Sequence, residues 1–194
     1  MKGRIVHLGC LLLLAACGQQ QEEAEEPISE TATETTAMEA TPSAEGDSVR
    51  VAIQDMAGNT LGQVVLRDTD GGVEISGTLT GLPPGEHGFH IHETGRCKAP
   101  SFESAGGHFN PTGRQHGFDN PEGPHAGDLR NLQVARDGSA VVSTTDSLVT
   151  LREGETALLD ADRSALVIHA DPDDYVSQPS GNSGDRIACG VIAE

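Results

Sequence analysis

Apolar and polar residues alternate in several short stretches of the chain. Residues 49–53 and 73–79 show the clearest alternation, and residues 62–66 follow it more loosely. A period of two is typical of strands that bury one face. Turn-forming residues separate these stretches, at positions 57–59 and 70–72. The pattern predicts three strands of an antiparallel meander.

Five more short segments later in the chain are predicted as strands, which brings the total to eight. They are residues 89–93, 129–135, 140–144, 166–169 and 187–192. Eight short strands predict an all-β sandwich or barrel. Two segments rich in turn-forming residues, 94–128 and 171–185, do not fit the strand pattern. Because structureless loops of this length are uncommon unless they have a function, we expect both to be functional loops.

The histidines are concentrated in one part of the chain. Seven of the eight lie between His87 and His169. His90 and His92 are two residues apart on a predicted strand, so their side chains face the same side and can share one metal ion. His87 faces the opposite side and is predicted to be structural. Imidazole nitrogens are among the ligands that copper and zinc prefer.

A second group of metal-ligand residues lies in the loop over residues 94–128. His108, His116, His125 and Asp128 offer three nitrogens and one oxygen. This set suits a closed tetrahedral zinc site. A histidine-rich surface loop without a metal is the alternative, and the spacing alone is moderate evidence against it.

The composition narrows the possible partners. The chain has 194 residues and a net charge of −18, with four Phe, one Tyr and no Trp. The excess of negative charge argues against nucleic acid as a partner. From Ser48 onward, 21 acidic and 10 basic residues leave a net charge of −11, so the predicted folded part is itself acidic.

The N-terminus has the pattern of an export signal. Lys2 and Arg4 precede an apolar run over residues 5–16, which is shorter than the roughly 20 residues of a membrane-spanning helix. Small residues then precede Cys17, and this arrangement resembles a bacterial lipoprotein box. We therefore expect residues 1–16 to be a lipoprotein signal peptide and Cys17 to carry lipid that anchors the chain to the membrane. An ordinary secretory signal with a chance cysteine is the alternative.

Residues 17–47 combine the lipidated cysteine with an acidic tether. The segment from Gly18 to Asp47 contains nine acidic residues and no Lys or Arg. High charge and few apolar residues predict disorder. The folded domain would then occupy residues 48–194. We expect an exported protein at the periplasmic face of the outer membrane, because Gly18 lacks the acidic signal for inner-membrane retention.

The cysteine count agrees with export. Apart from Cys10 in the signal peptide and Cys17, only Cys97 and Cys189 remain. In an oxidising compartment such a pair is expected to form a disulfide bond. Two buried free thiols are the alternative.

Four motifs resemble those of the copper/zinc superoxide dismutase family. Residues 85–93 resemble its first signature, and residues 107–111 and 124–128 resemble its zinc loop. Residues 181–192 resemble its C-terminal signature. The resemblance extends over nearly the whole predicted domain. It implies an eight-stranded antiparallel Greek-key sandwich or barrel, immunoglobulin-like, with the two long functional loops.

The resemblance also implies a role for each matching residue. His108 would bridge the two metals, and Arg186 would guide the substrate anion. Asp173 would be a carboxylate behind the ligands that links the two sites, and Cys97 and Cys189 would form the family disulfide. The implied copper ligands are His90, His92, His108 and His169, and the implied zinc ligands are His108, His116, His125 and Asp128.

The implied activity is dismutation of superoxide to dioxygen and hydrogen peroxide, with copper and zinc as cofactors. A redox-cycling copper would perform the chemistry, and zinc would hold His108, which would carry a proton in the reduced state. A homodimer is compatible with the resemblance. Two other classes stay open: a lipoprotein that binds the metals without turnover, and a copper-delivery domain on the same fold.

One feature departs from related enzymes, which often place basic residues around the substrate channel. Residues 171–185 contain four Asp and no Lys. Our hypothesis is that electrostatic steering of the anion is weak and depends little on salt. Residues 147–162 match no functional motif.

Overall fold

The computed structural model describes residues 48–194, and these residues form nine antiparallel strands in one sheet. The predictions for residues 1–47, including Cys17, lie outside the described residues. Within residues 48–194, no helix is long and apolar enough to cross a membrane. The strands are β1 (Ser48–Asp55), β2 (Thr60–Thr69), β3 (Gly72–Leu79), β4 (Gly85–His87), β5 (Phe89–His92), β6 (Leu132–Val134), β7 (Ala140–Asp146), β8 (Ser164–His169) and β9 (Arg186–Ile192).

The sheet curls into a nearly closed barrel. Its strand order is β4-β6-β7-β3-β2-β1-β9-β8-β5, so β4 and β5 stand at opposite ends although only Gly88 separates them in the chain. The pairing of β1 with β9 and of β3 with β7 joins strands distant in sequence, as in a Greek key. The predicted all-β Greek-key fold is confirmed.

The predicted number of strands was one too low. Gly85–His87 pairs with Leu132–Val134 and forms the additional strand, while β5 pairs with β8 on the other side of the barrel opening. The chain changes partner at Gly88, whose N–H donates to the Asp171 carbonyl and whose carbonyl accepts from the His169 N–H. A three-residue strand carries too little alternation to be recognised in the sequence.

The predicted alternation fills the barrel with aliphatic side chains. In β1, Val49, Val51 and Ile53 point inward, and β2 and β3 contribute in the same way. Residues 147–162 also contribute to this core, through Val149, Leu151 and Leu158. Strand β8 differs because all six of its residues are buried. Its outward side chains Ala165 and Val167 pack against a second cluster with Phe102, Ala105 and Cys189.

The predicted disulfide bond between Cys97 and Cys189 is confirmed. It joins the loop after β5 to β9. The two cysteines are 92 positions apart in sequence, and their Cα atoms are 5.7 Å apart. The disulfide thereby holds this loop against the outer face of β8.

Strand β5 places the candidate ligands outside the barrel. Phe89 and Ile91 point into the core, so His90 and His92 point outward, as their spacing predicted. They are nevertheless buried, because the two long loops cover this face.

A buried carboxylate at the end of β7 leads to a prediction about stability. Asp146 is 6% exposed; its Oδ1 accepts from the Leu148 N–H at 2.9 Å, and its Oδ2 has no hydrogen-bond partner in the described part of the chain. Burial raises the pKa of Asp146 to about 7, well above its ordinary value of 3.8. The contribution of Asp146 to the free energy of unfolding therefore falls as the pH rises from about 4 to about 7, by roughly 2–4 kcal/mol.

Replacing Asp146 with Asn keeps the acceptor and removes the charge. We expect Asp146→Asn to raise the Tm of the metal-free protein at pH 8 by roughly 5–10 °C, and to have little effect near pH 4. The control is Asp70→Asn, which removes an exposed carboxylate from the turn between β2 and β3. An equal Tm gain in both variants, or a gain that does not depend on pH, would contradict the prediction.

Candidate metal centre

Four imidazoles converge on the outer face of the barrel. Ligand atoms of His90, His92, His108 and His169 all lie within 4.8 Å of one another, and all four side chains are buried. Strands β5 and β8 supply three of them, and His108 comes from the first long loop. The Nε2 atoms of His92 and His169 lie 3.3 Å apart.

A second set shares His108 with the first. The Nδ1 atoms of His108, His116 and His125 lie 2.8, 3.0 and 3.3 Å from Asp128 Oδ1. The other carboxylate oxygen of Asp128 accepts from the N–H groups of Gly117 and His125, at 2.9 and 3.0 Å. This carboxylate therefore organises the loop over residues 94–128, which the sequence predicted to be functional.

The surroundings of the copper candidates fix their tautomers. The outward nitrogen of His90 donates to Asp173, that of His92 to the Gly106 carbonyl and that of His169 to the Gly184 carbonyl, at 2.8, 3.0 and 3.2 Å. A proton on each outward nitrogen leaves the lone pair on the inward nitrogen. Each of these three imidazoles thus directs a lone pair into the cluster.

His108 differs because both of its ring nitrogens face ligand atoms. Its Nδ1 lies beside Asp128, and its Nε2 is buried without a hydrogen-bond partner among residues 48–194. The Nδ1 of His90 is unpartnered in the same way. Buried polar atoms normally have partners, and a metal ion between the inward nitrogens would supply one.

Burial keeps two of these imidazoles neutral. Burial, and secondly the nearby His90, lower the pKa values of His108 and His169 to about 3. Neutral imidazole is the form that binds metals. At His116, burial alone would lower the pKa, but hydrogen bonds to Asp128 and Asp173 outweigh it and raise the pKa to about 9.

Asp173, which the resemblance implies is a carboxylate behind the ligands, contacts a member of each set. Its Oδ2 accepts from His90 Nε2 at 2.8 Å, and its Oδ1 accepts from His116 Nε2 at 3.0 Å. Asp173 and both imidazoles are buried. One carboxylate therefore orients a member of each set.

Arg186 lies at the start of β9, where two carbonyl groups hold its guanidinium. Nη1 donates to the Phe102 carbonyl at 2.8 Å, and Nη2 donates to the Gly106 carbonyl at 2.6 Å. The Gly106 carbonyl also accepts from His92, so the arginine is joined to the histidine cluster through one oxygen. Burial lowers the pKa of Arg186, while Glu103 and Glu93 raise it. Arg186, Glu103 and Asp185 line a surface cavity of about 400 Å³.

The structure brings all seven predicted ligands together, and their division between copper and zinc stays a prediction. The spacing of His90 and His92 revealed their common face, but Asn131 and Gln178, which contact the backbone of Asp173 and His116, have no recognisable signal in the sequence. His87, predicted to be structural, places its ring nitrogens 2.7 and 2.8 Å from the carbonyls of His169 and Pro83.

Comparisons with known proteins point to one family. The sequence profile of the copper/zinc superoxide dismutase (SODC) family matches residues 60–192. "Superoxide dismutase [Cu-Zn] 2" of Aquifex aeolicus (strain VF5) is 52% identical over 137 residues, which cover 70% of this chain and 80% of the relative.

Solved structures agree with the sequence relatives. A superoxide-dismutase-like protein from Bacillus subtilis has a TM-score of 0.72 at 44% identity, covering 74% of this chain and 97% of its own. The Cu/Zn superoxide dismutase from Brucella abortus has a TM-score of 0.64 at 29% identity, covering 76% of this chain and 100% of its own. With two histidine-rich sets that fit copper and zinc, the chain belongs to the copper/zinc superoxide dismutase family, whose members are oxidoreductases.

Proposed function

We propose that this protein dismutates superoxide, converting two superoxide anions and two protons to dioxygen and hydrogen peroxide. His90, His92, His108 and His169 would hold copper, and His108, His116, His125 and Asp128 would hold zinc. The observation that carries the proposal is the position of His108, whose ring belongs to both sets. Bound copper supplies a one-electron redox couple, and bound zinc supplies charge without redox chemistry.

The chain's own residues have distinct tasks in this proposal. His108 Nε2, buried and without another partner in the described residues, would carry a proton in one half of the cycle and return it in the other. Arg186 would bind the incoming anion, since its guanidinium keeps a permanent charge and its orientation is set by two carbonyls. Asp173 would keep the rings of His90 and His116 in place.

The decay of superoxide tests the function directly. The purified protein is loaded with copper and zinc, and a second sample is loaded with zinc alone. Fast, catalytic decay with the first sample and none above background with the second would establish the enzyme. Stoichiometric binding of both metals with negligible turnover would overturn the proposal in favour of a protein that binds metals without catalysis.

The charges around Arg186 support weak steering of the substrate. Glu103 and Glu93 act on the guanidinium, and the domain's net charge is −11 by its 21 acidic and 10 basic residues. These carboxylates oppose the approach of an anion. We expect Glu103→Gln to raise the rate constant about two- to threefold at low ionic strength, and the rate of the wild type should not fall steeply as salt is added.

The matched control is Glu74→Gln, which removes an exposed carboxylate from the outer face of β3. Rate constants would be measured for the three proteins at several salt concentrations. If the wild-type rate falls steeply with salt, or if Glu103→Gln is no faster than Glu74→Gln, the weak-steering hypothesis is wrong.

We also propose that the enzyme acts in the cell envelope, tethered by residues 17–47 and anchored through lipid on Cys17. The disulfide bond supports export, because such bonds persist in oxidising compartments. The periplasmic face of the outer membrane is the expected location, and the homodimer stays a prediction. Labelling with a radioactive fatty acid tests the anchor: the wild type should take up label and Cys17→Ser should not.

A further inference from the structure

The amide side chain of Gln178 forms two hydrogen bonds with the backbone of His116. Its Nε2 donates to the His116 carbonyl at 2.9 Å, and its Oε1 accepts from the His116 N–H at 2.9 Å. The same Nε2 also donates to the Val176 carbonyl at 3.0 Å. The two ends of this amide therefore have different partners, which determine its orientation.

The amide side chain of Asn131 forms two hydrogen bonds with the backbone of Asp173 in the same way. Its Nδ2 donates to the Asp173 carbonyl at 3.0 Å, and its Oδ1 accepts from the Asp173 N–H at 2.9 Å. The backbone N–H of Asn131 donates to the Tyr175 hydroxyl at 2.9 Å, which adds a further connection to the same loop.

We call these two pairs of hydrogen bonds, made by Gln178 and by Asn131, the clamps. Each clamp joins one of the two long loops to the other. Gln178 belongs to the loop between β8 and β9 and holds a residue of the loop between β5 and β6. Asn131, just before β6, holds a residue of the β8–β9 loop. The two residues that are held, His116 and Asp173, contact each other through the 3.0 Å hydrogen bond between Nε2 and Oδ1.

Both ends of one buried hydrogen bond are thus positioned from the opposite loop. The bond matters beyond the two loops because Asp173 also orients His90. Partners behind a metal ligand fix its ring orientation, and their loss costs about 10- to 100-fold in metal affinity. The clamps do not involve the side chains of His116 and Asp173. They hold the backbone of these two residues, and so they act on the ligand and its partner indirectly.

We propose that Gln178 and Asn131 are positioning residues that set the zinc affinity of the His116 set and, through Asp173, the geometry of His90. This inference rests on the proposed assignment of His116 to zinc and His90 to copper. Because Gln178 is exposed, the loss on its removal is expected near the lower end of the range, about tenfold.

The test measures zinc affinity by competition with a chromophoric chelator for the full-length protein and for Gln178→Ala, Gln178→Glu and Asn131→Ala. Gln178→Ala should bind zinc about tenfold more weakly. Gln178→Glu should be at least as weak, because its carboxylate faces two carbonyl oxygens. Gln63→Ala, which changes an exposed glutamine of β2, should bind zinc as the wild type does.

A spectroscopic signal separates positioning from general stability. With cobalt(II) in place of zinc, the visible absorption of Gln178→Ala and Asn131→Ala should shift, while that of Gln63→Ala should not. In the double variant the two losses should not add, because both act on one contact. Wild-type zinc affinity and cobalt spectra in both alanine variants would overturn the proposal, even if thermal stability were reduced.

His116→Ala distinguishes this failure from failure of the ligand assignment. If His116→Ala binds zinc as tightly as the wild type, His116 is not a zinc ligand, and the proposal that the clamps position a zinc ligand is wrong as well. If His116→Ala loses zinc while the clamp variants retain it, the assignment stands and only the clamps are refuted.

Discussion

His169→Ala should lower the rate of superoxide dismutation by about 1,000-fold or more. Changes behind the ligands cost about 10- to 100-fold, and loss of a ligand removes a direct bond to the metal. The inward Nε2 of His169 lies 3.3 Å from that of His92, and its outward Nδ1 is held by the Gly184 carbonyl. Alanine removes both contacts and would leave three of the four proposed copper ligands.

The measurement compares superoxide decay at equal protein concentration, with copper and zinc content determined for each sample. Zinc provides an internal control, because His169 does not belong to the second set of ligand residues. The variant should therefore retain one zinc per chain while activity and copper affinity fall. Retention of more than about a tenth of the activity would mean that His169 is not a copper ligand.

Removal of the disulfide bond should produce the largest loss of stability. In the chain-entropy model, a cross-link that closes a loop of 92 residues stabilises the fold by about 4–5 kcal/mol. The double variant Cys97→Ser with Cys189→Ser should lose about this free energy of unfolding, measured by denaturant titration of the metal-free protein. The thiol-reduced wild type should show the same loss, which provides the control.

Removal of the disulfide bond should also reduce the rate of superoxide dismutation. The loop that carries Cys97 also supplies the Phe102 and Gly106 carbonyls that hold Arg186, and Phe102 packs beside Cys189. Without the cross-link, Arg186 loses part of its fixed orientation. A loss of stability below about 1 kcal/mol would show that packing of this loop, and not the covalent bond, stabilises the fold.

The sequence predicted those features that depend on local periodicity. Alternation in β1 and β3 identified their buried faces, because successive side chains on a strand point to opposite sides. The same rule predicted that His90 and His92 point to one side. Where the periodic segment was short, as in β4, the prediction failed, since three residues do not define a period.

The resemblance to a family extended these predictions to residues far apart in the chain. It brought His169 together with His90, and it assigned Asp173 to a position between the two sets. The structure places Asp173 at hydrogen-bond distance from His90 and His116. Spacing alone could not have joined these residues.

Tertiary structure alone decided which groups support the ligands. Asn131 lies 42 residues from Asp173, and Gln178 lies 62 residues from His116, so no local pattern relates them. The unpartnered oxygen of Asp146 likewise depends on how loops close over the end of β7. Short-range periodicity determines which face of a strand is buried, whereas hydrogen bonds between loops form only after the barrel has brought distant segments together.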